Sequence, residues 1–239
     1  MSDPSSSHPP ATGPPPGVRT IGQKPSGGTT VVLVRHGESV CGVEGVVGGF
    51  SGCTGLTAIG RAQVQALADR LARSGELSGV GALYASVLPR AVATAEILAP
   101  ALDRWRDGPP LRVMSDCDLC ELHPGEADGL TWPEFLARYE EPDWDADPAR
   151  PLAPGGESWQ GFVDRASAAV TAVADRHPGE TVVVACHGGV VEAAMLRFLP
   201  VEADKVRLGL RTEHASLTLW ERFGDQWLLL RYNDVATPS

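Results

Sequence analysis

The run Thr29-Thr-Val-Val-Leu-Val-Arg35 is β-branched or aliphatic at every position before its closing arginine. A strand with one wet face alternates polar and apolar residues; this one does not, so it reads as a strand buried on both faces of a parallel sheet. Thr181 to Ala185 has the same texture. Parallel neighbours need long crossovers, and the intervening segments carry helical signals. Thr57 is placed to cap a helix running to about Arg73, with Ile59, Ala62, Ala66 and Leu67 at helical spacing and Gly75 just past its end. Pro89 opens a helix to about Ala99, Ser158 to Arg176 is amphipathic and closed by Pro178 and Gly179, and a further helix spans about Val190 to Phe198. Gly81 to Ala85 reads as a short strand, Leu111 to Met114 as an edge strand, and Ser216 to Arg222 with Trp227 to Tyr232 as a hairpin across Gly224-Asp225. The expected fold class is α/β, a doubly wound, mostly parallel sheet flanked by helices, with ligands off the carboxyl ends of its strands.

A chain of 239 residues, 43% of them apolar, suffices for one domain with a sizeable core. Residues 1–28 hold seven Pro, five Gly and five Ser, a composition too poor in apolar surface to offset chain entropy, so a disordered tail is expected there and the domain at residues 29–239. A formal charge of -10 disfavours nucleic acid and anionic lipid as partners and confines any phosphate site to a local cluster of cations. With no apolar run of membrane-span length and no signal-peptide pattern, a soluble cytoplasmic protein is expected. The five cysteines are read as reduced thiols. Cys117 and Cys120 have C-x-x-C spacing, but a zinc site needs two more ligands and neither a second such pair nor a spaced histidine pair follows, so no metal is expected.

Three groups stand where a doubly wound sheet places chemistry. Arg35-His36-Gly37-Glu38 closes the first strand, Cys186-His187-Gly188-Gly189 closes a later one just before a helix, and Ser86-Val87-Leu88-Pro89-Arg90-Ala91 puts an arginine in a first helical turn directly after a strand. Helix N-termini and glycine amides favour an anion, and the arginine fork suits phosphate oxygens. A Gly-rich loop runs from Gly37 to Gly55, and Glu140 to Pro154 is an acidic, Pro-rich segment with the character of a lid.

These blocks, with Gly55-Leu56-Thr57, Thr94-Ala95, Glu121 to Gly125 and Gly129-Leu130, resemble the histidine phosphatase superfamily in its single-domain, phosphoglycerate-mutase-like branch, over about residues 29 to 235. The resemblance implies that His36 is a nucleophile phosphorylated on a ring nitrogen. It implies that Arg35, Arg90, His187 and Gly188 surround the phosphoryl oxygens, with Arg35, Arg90 and a protonated His187 supplying positive charge, and that Glu121 exchanges a proton with the leaving oxygen and then with water. No cofactor is implied. Ser39, Gly48 and Gly49 are candidate substrate-loop residues, His123 and Glu38 are read as structural rather than catalytic, with a contact to the substrate or to a site residue as the alternative, and His214 matches no block and is read as structural.

Relatives with mutase activity, and many phosphatases, carry an asparagine six residues after the catalytic histidine, where this chain has Gly42. The expectation is a metal-independent phosphatase of a small phosphorylated metabolite, with a bisphosphoglycerate-dependent phosphoglycerate mutase and a non-catalytic phosphate-binding protein as alternatives and the oligomeric state open. Cys41, Cys120 and Cys186 adjoin these positions, either as oxidisable thiols or as buried, inert ones.

Overall fold

The structure is a computed structural model in which residues 27–199 and 208–236 are described. The expected tail therefore lies outside the described residues, apart from its last two positions. Four parallel strands, β1 (Thr29–Arg35), β2 (Val80–Ser86), β3 (Val113–Asp116) and β4 (Thr181–Cys186), are extended by an antiparallel pair, β5 (Leu217–Phe223) and β6 (Gln226–Asp234), in the order β3-β2-β4-β1-β5-β6. The helices are α1 (Val40–Glu44), α2 (Ala58–Ser74), α3 (Pro89–Asp103), α4 (Trp132–Arg138), α5 (Trp159–Arg176) and α6 (Gly188–Phe198).

The texture of β1 has its explanation in two-sided burial. Val31 and Leu33 pack with Phe162, Val170 and Val191 of α5 and α6, while Val32 and Val34 pack with Val64, Leu67 and Leu98 of α2 and α3, and all of these are fully buried. Each aliphatic side chain withdrawn from water contributes about 1.5–3 kcal/mol, so a polar residue at any of these positions would be costly on either face.

Several expectations need correction. The inward face of α2 is Val64, Leu67, Ala68 and Leu71, whereas Ile59 and Ala62 are exposed. The first turn is seated on Gly60, where a Cβ would come within 2.0 Å of the Glu38 carbonyl oxygen, and this turns Ile59 outward. Helix α3 does not stop at Ala99 but continues through Pro100 to Asp103. Pro100 and Glu96 are both exposed, so the carbonyl that Pro100 leaves without a helical donor is on the wet side. Edge strand β3 begins at Val113, two residues late. The Gly-rich loop contains α1, capped by the Ser39 hydroxyl accepting from the Gly42 amide at 3.3 Å.

The Glu140–Pro154 segment has no regular helix or strand. It is held through Trp144, whose indole donates to the Arg150 carbonyl at 2.8 Å, and through a small cluster in which Leu152 and Ala153 meet Val47, Ala127 and Phe135.

Candidate active site

In the β1–β4 ladder Arg35 pairs with Cys186, so the next residues, His36 and His187, leave adjacent strand ends together. Their ring centroids lie 5.1 Å apart. The Nδ1 of His36 is 2.7 Å from the Gly37 carbonyl oxygen; a carbonyl only accepts, so Nδ1 carries the proton and Nε2 keeps its lone pair. Arg90 confirms that tautomer: its Nε–H lies 3.1 Å from His36 Nε2 and 3.3 Å from His187 Nδ1. A second Arg90 donor reaches the Gly48 carbonyl at 2.8 Å. The position follows from sequence, since Pro89 starts α3 at the end of β2 and Arg90 is therefore in its first turn.

Burial first, and the charge of Arg90 second, hold both imidazoles well below the ordinary histidine range. His36 is thus neutral near neutral pH, with the Nε2 lone pair facing Arg90. His187 is neutral too, which corrects the expectation that it brings positive charge; the fixed charge here belongs to Arg35 and Arg90. Burial also lowers the pKa of Arg35, but arginine remains charged.

Arg35 donates from Nη1 to the Thr212 carbonyl, while its Nε is buried without a partner among the described residues. The Nε2 of His187 is likewise buried and unpartnered. With its Nδ1 accepting from Arg90, His187 carries its proton on Nε2, so two buried N–H donors flank the histidine pair unsatisfied. Donors in that state call for a bound acceptor. Gly188 approaches Arg35 closely: a Cβ there would lie 3.5 Å from Arg35 Nε.

Glu121 follows β3 and a short 3-10 turn, Cys117–Leu119. Its Oε2 accepts from the Gly189 amide at the N-terminus of α6 at 3.1 Å, and its Oε1 from the Leu122 amide at 3.2 Å. A Cβ at Gly189 would fall 2.1 Å from Glu121 Oε1 and 2.9 Å from Phe162 Cζ, so a side chain there would displace the carboxylate.

Arg35, His36, Ser39, Gly48, Arg90, Glu121 and Gly188 line one cavity of about 520 Å³. Two expected residues do not. His187 is fully buried and adjoins the site through Arg90, and Gly49 packs its open face against Asp128 and Pro124. Glu38 is also outside, its carboxylate accepting from the Thr57 hydroxyl at 2.7 Å.

Other residues in the wall were not anticipated. His214 lines it with its ring 5.7 Å from that of His36, correcting the structural reading of this residue. It is placed by Ala215, which adopts φ 53° and donates its amide to the Arg35 carbonyl at 3.0 Å. Away from the histidines the wall is largely apolar, with Val46, Val47, Trp132, Trp144, Leu152 and Trp159. Nothing in the residue types marked these: His214 reaches the cavity through β5 pairing with β1, Trp144 and Leu152 through the packing of the Glu140–Pro154 segment, and Val47 and Trp132 through backbone hydrogen bonds that join the Gly-rich loop to residues 130–132.

Cys41, Cys120 and Cys186 are buried and Cys117 is exposed, so burial favours the inert reading of the three thiols nearest the site.

The family model of the histidine phosphatase superfamily (branch 1) matches residues 31–235. Phosphoglycerate mutase-like protein 4 of Arabidopsis thaliana is 33% identical over 213 residues, covering 86% of this chain and 85% of that one. A metal-independent phosphoserine phosphatase of the same plant is 30% identical over 218 residues, covering 88% and 84%. Among solved structures, Bacillus stearothermophilus YhfR superposes with a TM-score of 0.71 at 31% identity, over 87% of this chain and 98% of that one.

Proposed function

Because the chain belongs to the histidine phosphatase superfamily, branch 1, we propose that it hydrolyses a small phosphomonoester through a phosphohistidine at His36. The observation that carries this reading is the distribution of charge in the cavity. Among the described residues Arg35 and Arg90 are the only arginines or lysines lining it, and both lie at the His36 end; the remaining charged residues in the wall are Glu121 and Glu192. One phosphoryl group is accommodated there, next to an apolar wall suited to an uncharged substrate body.

In the first step the Nε2 lone pair of His36 attacks phosphorus and the P–O bond to the leaving group breaks. Protonated Glu121 gives its proton to the departing oxygen, and the Nδ1 proton stays shared with Gly37. Arg35 and Arg90 stabilise the charge spread over the phosphoryl oxygens, with His187 held behind Arg90. In the second step Glu121, now a carboxylate, takes a proton from water as the water oxygen attacks phosphorus. The P–N bond then breaks, releasing phosphate and restoring neutral His36 and protonated Glu121.

A bisphosphate-primed mutase must hold a second phosphate while its intermediate turns over, and the lid argues against one: from His123 to Ser158 only Arg138 and Arg150 stand against nine acidic residues. The purified protein, screened against phosphorylated metabolites, is expected to release inorganic phosphate from a preferred monoester with little conversion of 3-phosphoglycerate to 2-phosphoglycerate, even with 2,3-bisphosphoglycerate supplied. Isomerisation faster than phosphate release would reverse the assignment, and failure to turn over any monoester, p-nitrophenyl phosphate included, would leave a binding protein.

Since the phosphoryl oxygens are met by the Arg35 and Arg90 guanidiniums and the attacking atom is a side-chain nitrogen, the chemistry needs no metal-activated nucleophile. Turnover is expected to persist in excess EDTA, and a collapse restored by adding a divalent ion back would contradict this mechanism.

A further inference from the structure

The C-x-x-C pair set aside on spacing has a third partner in space. Cys117, Cys120 and His123 present their sulfurs and a ring nitrogen within 4.8 Å of one another. The two Sγ atoms are 3.7 Å apart, and Cys117 Sγ is 3.6 Å from His123 Nε2. A tetrahedral ion with sulfur at about 2.3 Å and nitrogen at about 2.0–2.1 Å has S–S edges of about 3.8 Å and S–N edges of about 3.6 Å. From these distances we propose that Cys117, Cys120 and His123 form a binding site for one zinc-class divalent ion, with its fourth position open to water beside the exposed Cys117.

The surroundings fit such an ion. Cys120 is buried and its sulfur accepts from the Ser86 hydroxyl at 3.2 Å, which fixes its position. The Nδ1 of His123 faces Glu157 Oε2 at 3.6 Å, so a proton held on that side leaves Nε2 free toward the sulfurs, the carboxylate–histidine arrangement common behind metal ligands. Arg165 balances the Glu157 charge at 2.7 Å and clamps the carbonyls of Asp118 and Cys120 at 2.7 and 3.1 Å, which fixes the turn that carries both thiols. Two thiolates and an imidazole select a borderline ion such as zinc or cobalt over magnesium or calcium. Binding releases the two thiol protons and leaves the ion and its ligands neutral overall.

The site is separate from the phosphoryl pocket but not remote from it in sequence. Its ligands at 120 and 123 bracket Glu121 in sequence, while the carboxylate itself is held by the Leu122 and Gly189 amides, so turnover does not depend on the ion.

Titration of the reduced full-length protein with cobalt(II), used as the spectroscopic stand-in for zinc, tests this. Saturation at one equivalent is expected, with tetrahedral ligand-field bands and a thiolate-to-cobalt charge-transfer band. One equivalent of zinc should bleach those bands and slow iodoacetamide labelling of Cys117. Cys117→Ser and His123→Ala should each lose the one-equivalent saturation, while Cys53→Ser and His36→Ala keep it. Absence of a charge-transfer band in the wild type overturns the proposal, as does a band that survives both Cys117→Ser and His123→Ala or disappears with Cys53→Ser. The readout does not depend on turnover, so phosphatase activity and ion binding can fail independently.

Discussion

His36→Ala is expected to lower turnover by a factor on the order of 10⁴–10⁶ and to eliminate any phosphoenzyme, because a nucleophile removed from a covalent mechanism leaves only the residual catalysis of binding and electrostatics. The wild type, quenched rapidly with labelled substrate, should carry phosphate that is labile in acid and stable in base, mapping to His36. The structure gives this residue the required state: Nδ1 is committed to the Gly37 carbonyl at 2.7 Å, Nε2 is left with its lone pair, and burial beside Arg90 keeps the ring unprotonated. Turnover at the wild-type rate in His36→Ala would remove the basis of the mechanism, whatever the substrate.

The second large effect is expected at Arg90. This side chain touches His36, His187 and the Gly48 carbonyl at once. Arg90→Ala should reduce kcat/KM by about 10³-fold, the scale associated with losing a fixed donor to developing transition-state charge. It should also move the acid limb of the pH profile, with a sign that can be worked out. The active form of His36 is neutral, and the charge of Arg90 adds to burial in keeping its pKa down. Without that charge the pKa rises, protonation begins at higher pH, and activity is lost earlier as the solution is acidified. Arg90→Lys should keep most of the acid-limb position while losing rate, because an ammonium supplies charge without the planar fork. A profile whose acid limb stays put in Arg90→Ala would show that Arg90 does not set the charge state of His36.

The parts of this molecule legible in its sequence are those whose residues report directly on burial or caps. Strands β1 and β4 declare themselves because both faces are covered, and Thr57, Pro89, Ser158 and Gly75 mark helix ends at which the chain does turn. Arg35, His36, Arg90, Glu121 and Gly188 share one cavity because each lies at or just past a strand end in a parallel sheet, a regularity that needs no knowledge of distant contacts. Ile59 misleads because apolar spacing alone cannot say which side of α2 is seated on Gly60. His214, Trp144 and Trp159 were out of reach for a different reason: their place in the wall depends on which strand β5 joins and on how an irregular segment folds back. His187 was located correctly, yet its charge depends on complete burial beside Arg90, which motif spacing does not report.

The order of strands also bears on how the protein comes into being. β1 is the first element of the sheet to be synthesised, yet its neighbours are β4 and β5, drawn from residues 181–223. During translation this aliphatic segment has no edge to pair with until most of the chain has emerged, and pairing across such sequence distances is slow and exposes sticky surface meanwhile. The histidine pair is created by the late arrival of β4 beside β1, so a fragment ending before β4 lacks it. Nascent chains carry His36 long before they carry the strand that brings His187 beside it.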